Sequence, residues 1–176
     1  MRIEKAEITD LPKILKLQKI CFQESALRHN SIDIPPLQQT LLGLEREYET
    51  TVILKVLLNV EIVGSIRAFV NKDTCYIGRV IVHPKFQNRG IGKQLMKEIE
   101  NRFSDVKRYE LFTGFLDEKN LSFYKSLGYT RYKEEKQTDS LTLVYMEKCK
   151  DVDSPFSHLT NVSSSLRLQK CIQKTT

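Results

Sequence analysis

The densest chemistry in this chain lies in Gln87-Asn88-Arg89-Gly90-Ile91-Gly92, a glycine-bearing turn flanked by Lys85 and Lys93. Backbone N–H groups that open a helix have no intrahelical acceptor, and the helix dipole favours an anion beside them. Glycine at 90 and 92 removes β-carbons that would hold a phosphate away from that backbone. With Lys85, Arg89 and Lys93 around it, the segment reads as a cradle for a diphosphate. A tight turn whose glycines serve only helix packing fits the same residues, and spacing alone does not separate the two. Two phosphate motifs are excluded. A P-loop requires Gly at 87 and Ser or Thr at 94, where Gln87 and Gln94 stand. A dinucleotide fingerprint requires a small residue at 95, where Leu95 stands.

Such a cradle works only if a strand delivers it and a helix follows it. Three β-branched segments precede it, Val52–Leu58, 61–70 and 75–82, and turn residues punctuate them at Asn59 and 71–74. Connections this short join antiparallel neighbours. Behind the turn, Ile91, Leu95, Ile99 and Phe103 repeat at helical spacing across 90–103. The next strand, Arg108–Gly114, is reached through that helical crossover and should run parallel to 75–82. Asp117 suits the start of a further helix to Leu127, and Gly128 suits the left-handed residue that ends it. Residues 129–132 and 141–146 close the sheet as an antiparallel pair. At the other end, a short strand at 2–8 precedes a helix capped by Asp10, with Pro12 in its first turn. A loop is expected at 22–34, then one helix from Pro35 through Leu37, Leu41, Leu44 and Tyr48. The expectation is one α/β (α+β) domain over residues 1–148, a central twisted mixed sheet flanked by helices. Residues 149–176, rich in Ser, Thr, Lys and Gln, read as a loosely held tail or the contact of a homodimer.

The 176 residues fit a single core, and 40% hydrophobic content is ordinary for a folded protein. No apolar run approaches the roughly 18 residues that cross a bilayer, so no membrane partner is expected. The charged start, Met1-Arg2-Ile3-Glu4-Lys5, does not suit a signal peptide, and a cytoplasmic protein is expected. Cys21, Cys75, Cys149 and Cys171 are widely separated, which supports neither a zinc site nor a redox pair; no metal is expected. A net charge of +6 and a pI near 9.1 suit a phosphate-bearing ligand. Nucleic acid is disfavoured as a partner, because the basic residues form no dense run and alternate with acids.

Two motifs together resemble one family. The run Ile77-Gly78-Arg79-Val80-Ile81-Val82-His83-Pro84, followed by Gln87-Asn88-Arg89-Gly90-Ile91-Gly92, resembles the acetyl-CoA-binding core of the GNAT superfamily of N-acetyltransferases. Its signature, (Gln/Arg)-x-x-Gly-x-(Gly/Ala) after a strand, matches without a gap. Downstream, Asn120-Leu121-Ser122-Phe123-Tyr124, with Gly128 and Tyr129 beyond, is similar to the family's Asn-x-x-x-Tyr helix with its trailing glycine and aromatic residue.

The resemblance implies acetyl transfer from acetyl-CoA, as co-substrate, to a small-molecule or peptide amine. It implies that the strand residues Val80, Ile81 and Val82 meet the pantetheine arm, with Val80 and Val82 offering backbone groups. Gln87, Asn88, Arg89, Gly90, Ile91, Gly92 and Lys93 would hold the pyrophosphate through main-chain N–H groups. Asn120 would bond the pantetheine amides, and Tyr124 would place its hydroxyl near the thioester sulfur. A phenol there can assist the departing thiolate, although a tyrosine between Leu121 and Leu127 also suits a core. The attacking amine must be neutral, so an ammonium with pKa near 10 has to lose its proton. Some family members carry a carboxylate where this chain has Tyr76; here the candidate bases are Glu110, Glu24 and a chain of waters. Arg67 and Arg79 could bind a substrate carboxylate or pair with nearby acids, and His83 before Pro84 suits shaping the turn. Two rival readings keep the fold. One is a catalytically silent acyl-CoA sensor; the other takes aminoacyl-tRNA as acceptor.

Overall fold

The computed structural model describes residues 1–28, 30 and 34–150. Its centre is a seven-stranded sheet built from β1 (Arg2–Lys5), β2 (Val52–Leu58), β3 (Glu61–Asn71), β4 (Thr74–Val82), β5 (Arg108–Gly114), β6 (Thr130–Lys136) and β7 (Thr142–Cys149). The strand order is β1-β2-β3-β4-β5-β7-β6. All neighbours are antiparallel except β4 and β5. Those two run parallel, as a strand–helix–strand crossover requires.

The helices α4 (Ile91–Arg102) and α5 (Glu118–Ser126) cover one face. Ile91, Leu95, Met96 and Ile99 of α4 pack with Leu121 and Tyr124 of α5 on Ile66, Ala68, Ile77, Tyr109 and Leu111 of the strands. Burying each of these large apolar side chains stabilises the fold by about 1.5–3 kcal/mol. The other face is covered over β1–β4 by α1 (Leu11–Arg28) and α3 (Leu41–Tyr48), through Leu11, Ile14, Leu17 and Leu44 against Ile53, Ile62 and Ile81. Arg67, 2% exposed, ties these layers together. Its guanidinium donates to Gln18 of α1 at 2.5 Å, to Gln39 at 3.0 Å and to Glu47 of α3 at 2.8 Å.

Three local expectations change. Residues 22–28 are helical and not loop, because Gln, Glu, Ala, Leu and Arg all favour helix and no Gly or Pro interrupts them. Tertiary contact fixes that last turn: Ser25 and Arg28 donate to the Asp117 carboxylate at 3.0 and 2.9 Å. Asp117 therefore starts α5 without capping it through its side chain. Second, the helix expected from Pro35 is two, α2 (Pro35–Gln38) and α3, since Thr40 breaks the chain to cap Gly43 N–H at 3.1 Å. Third, Asp10 closes a short turn before α1 and reaches back to Glu7 N–H and Lys55 Nζ at 2.8 and 2.6 Å. Residues 151–176, and with them the readings of a loose tail and a homodimer contact, lie outside the described residues. Cys149 belongs to β7.

Candidate active site

A gap in the sheet organises the site. β4 and β5 pair only at Thr74–Arg108, Cys75–Tyr109 and Tyr76–Glu110, then part. The cause is local. The β3–β4 register shifts between Ser65 and Arg67, and Arg79 takes a left-handed φ of 50° opposite that shift. Such a bulge bends its strand and strengthens its twist, so β4 swings from β5 while holding β3.

Backbone alternation then sets what the gap offers. His83 N–H bonds Val63 across the β3 side at 2.9 Å, so Val82 turns its own N–H and C=O the other way, toward the gap. The Val82 carbonyl indeed accepts from Gln87 Nε2 at 3.1 Å and from Cys21 Sγ at 3.4 Å, off the ladder. Burial pushes that thiol up to about 12, which keeps it protonated and donating. Val80 and Val82 pack their side chains with the α4/α5 core, while Ile81 packs with the α1/α3 cluster.

Directly beyond the gap lies the glycine turn. Asn88 and Gly90 adopt φ of 59° and 78°, and Gly90 is the N-cap of α4. The first α4 amide with an acceptor at its helical spacing is Gln94, bonded to Gly90 at 3.1 Å. The amides of Ile91, Gly92 and Lys93 precede it at the helix opening, where no helical acceptor exists. Lys85, Arg89 and Lys93 are exposed around them, with Arg89 resting 5.4 Å over the Phe86 ring. The two glycines differ in what they permit. A β-carbon on Gly90 would meet nothing of the protein within 4 Å; one on Gly92 would meet the Phe123 ring of α5 at 3.3 Å. Open space at a helix N-terminus with free amides and cations fits a diphosphate. The close approach at Gly92 also seats α4 against α5.

On α5, Tyr124 is buried, with its ring against Phe123 and Tyr129 at centroid distances of 5.2 and 6.2 Å. Burial, with help from Asp117, raises its phenol above the usual range. Its hydroxyl has no hydrogen-bond partner among the described residues, so it is available to a ligand. Asn120, one helical turn earlier, is exposed and donates to Thr113 Oγ1 of β5 at 3.2 Å. The α5 pair thus stands on the β5 side of the gap, while the glycine turn follows β4.

The candidate bases are far less alike than their chemistry. Glu110 is at the apex, paired in register with Tyr76, and alternates with buried Tyr109 and Leu111, which aims it at the face opposite α4 and α5. Arg108 holds its carboxylate at 2.8 Å and also meets Glu147 at 2.7 Å. Glu24 lies on the exposed side of α1, 3.5 Å from Arg28. Of the two arginines that suit a substrate carboxylate or nearby acids, Arg67 takes the second role, with Glu47, while what the sequence does not foretell at Arg79 is its backbone. Its signal is its left-handed φ, rare outside glycine.

Known proteins share this fold. A chain from Streptococcus mutans, smu.2055, superposes with a TM-score of 0.72 at 16% identity, over 85% of this chain and 99% of that one. The ribosomal-protein-S18-alanine N-acetyltransferase of Escherichia coli gives 0.72 at 16%, over 91% and 99%. PaiA N-acetyltransferase of Thermoplasma acidophilum, solved with coenzyme A, gives 0.68 at 18%, over 85% and 100%. At such identities the likeness is one of fold. In sequence, the uncharacterized N-acetyltransferase ycf52 of Gracilaria tenuistipitata var. liui is 29% identical over 119 residues, 64% of this chain. The match spans 59% of that relative's length. The profile of the acetyltransferase (GNAT) family matches residues 11–129, which takes in α1, the parted strands, the glycine turn and the Tyr124 helix. By that match the chain belongs to the GNAT acetyltransferase family.

Proposed function

We propose that this protein transfers the acetyl group of acetyl-CoA to a primary amine by direct attack. One observation carries the reading: the parallel strands part after three pairs, immediately before a helix N-terminus with unpaired amides. An extended amide-bearing arm fits the gap, and a diphosphate fits the turn. Residues 87–93 would hold the phosphates, Val80 and Val82 the pantetheine amides, with Ile81 between them and Asn120 on the far side.

In the reaction the amine nitrogen bonds the thioester carbonyl carbon, and the tetrahedral species collapses by breaking the C–S bond. The electron pair leaves on sulfur. A free thiol titrates near 8.5 and a phenol near 10, so the raised Tyr124 hydroxyl cannot readily surrender its proton to the thiolate. It can donate a hydrogen bond to the departing sulfur, strongest where negative charge develops. The ammonium proton, and the second proton that the nitrogen sheds as the amide forms, we assign to water in the gap, from which the departing thiolate is also neutralised, because Arg108 already pairs with Glu110 and Glu24 lies on the exposed side of α1. We place the protein in the cytoplasm, a reading supported by Cys21 and Cys75, which form no disulfide among the described residues.

Thermal melts and thiol release test this together. Acetyl-CoA at 100 times its dissociation constant should stabilise the protein by about 2.7 kcal/mol, and an amine panel should release CoA. No shift at saturation would sink the proposal. Glu110→Gln should lower kcat less than about tenfold; a loss of 10²-fold or more, with a lost acidic limb in the pH profile, would make Glu110 the base.

A further inference from the structure

Two guanidinium groups lie on the α1/α3 side of the gap, and only one is matched. Arg67 has Glu47, Gln39 and Gln18 as partners. Glu47 also receives Gln39 Nε2 at 2.7 Å, so its carboxylate is already engaged. Arg79 makes no hydrogen bond and no ion pair among the described residues. Its Nε is buried without a partner, and its guanidinium rests 5.8 Å over the Phe22 ring of α1. Burial disfavours the charge on both arginines, and the Glu47 carboxylate they share is what opposes this at Arg79. Among the described residues the local charge count is therefore one anion short. Arginine at a left-handed φ, where glycine would sit without strain, deepens the anomaly.

Its position gives the missing anion a meaning. Arg79 precedes Val80 at the bulge that opens the gap, and α1 marks its face as the one opposite the phosphate turn. A cofactor filling the gap from the α4 side leaves that face to the acceptor. Resting on the acetyl-transfer reading above, we infer that Arg79 anchors a carboxylate on the acceptor, so that the substrate is an amine carrying a carboxylate near its nitrogen. Arginine's planar fork takes a carboxylate through two parallel N–H bonds, which fixes direction as well as charge. Phe22 beneath the guanidinium holds that plane in place. The acceptor could be a free amino acid or the acidic N-terminal residue of a peptide; the chemistry at Arg79 is the same.

Matched amines separate these sources. The full-length protein is assayed for thiol release with glycine against glycinamide, glutamate against its α-amide, and an Asp-Ala-Ala amide against its Asn counterpart, at equal concentrations of neutral amine. In at least one pair the carboxylate member should lead by roughly 10- to 100-fold in kcat/KM, the size of a charge-assisted hydrogen bond. Which pair leads identifies the source. Arg79→Gln should bring that ratio close to one, Arg79→Lys should restore part of it, and both should keep the wild-type melting shift with acetyl-CoA. A second readout needs no turnover: CoA-loaded wild type should bind N-acetylglycine or N-acetylglutamate more tightly than the matching amides, and Arg79→Gln should not. Equal rates and equal binding within all pairs overturn the inference, as does a ratio that survives in Arg79→Gln. A wild type that shows no melting shift with acetyl-CoA brings down the acetyl-transfer reading instead.

Discussion

Tyr124 is held by three constraints that a phenylalanine would mostly share: the Phe123 ring, the Tyr129 ring and the core beneath α5. Its hydroxyl alone is free among the described residues. Tyr124→Phe should therefore leave the melting midpoint and acetyl-CoA affinity near wild type. Turnover should fall roughly 10²-fold, as expected when a donor to developing charge is lost. Stopped-flow measurement of the chemical step checks this; an unchanged rate would return Tyr124 to the core. Gly90 is the second decisive residue, for the opposite reason. Gly90→Ala puts a methyl group in space that the protein does not use, at a φ of 78°. It should cost about 1 kcal/mol of stability through that φ and, separately, most of the melting shift given by acetyl-CoA. Gly92→Val is the poorer test, because it also displaces the Phe123 ring.

Among the elements, β2, β5 and the α4 region follow directly from β-branched content, apolar spacing and the glycine turn, and the parallel pairing of β4 and β5 follows from the crossover. The last turn of α1 and the break at Thr40 do not, since each depends on a residue distant in sequence or on a single cap. The same limit applies within the site. The glycine turn and the Asn120–Tyr124 spacing are legible because they are contiguous, whereas the isolation of Arg79 depends on where Glu47 and Gln39 spend their charge. The anchoring of β1 and α1 to β2 is likewise a tertiary fact, and it is testable by pH. Burial pushes the Asp10 carboxyl up, but the Lys55 and Glu7 hydrogen bonds overcome this and hold it below 3.8. A carboxyl lowered on folding contributes stability above its unfolded pKa and loses it as pH falls through the folded one. Asp10→Asn should thus cost about 1–2 kcal/mol at pH 7. Urea titrations of the two proteins should converge as pH falls through the lowered carboxyl pKa of Asp10; a gap that persists in acid beyond it would assign the loss to packing.

At the scale of the molecule, β7 is the last strand among the described residues, and the Lys150 amide bonds Lys107 beside the start of β5 at 2.9 Å. The remaining residues, 151–176, are polar and lack a core pattern. Truncation after Lys150 should leave the melting midpoint within a few degrees of the full chain and the acetyl-CoA shift intact. Aggregation or a much lower midpoint would show that Phe156, Leu159 or Leu166 contributes to the core. One consequence of the gap between β4 and β5 extends beyond chemistry. If acetyl-CoA fills that gap as proposed, the sheet's interior is finished there by a diffusible metabolite and not by the chain itself, so occupancy and folded lifetime are linked. Protein that lacks its metabolite spends more time open to proteases, and its abundance falls first. The supply of acetyl-CoA then sets how many copies endure as well as how fast each one works, and scarcity would lower acetylation twice over.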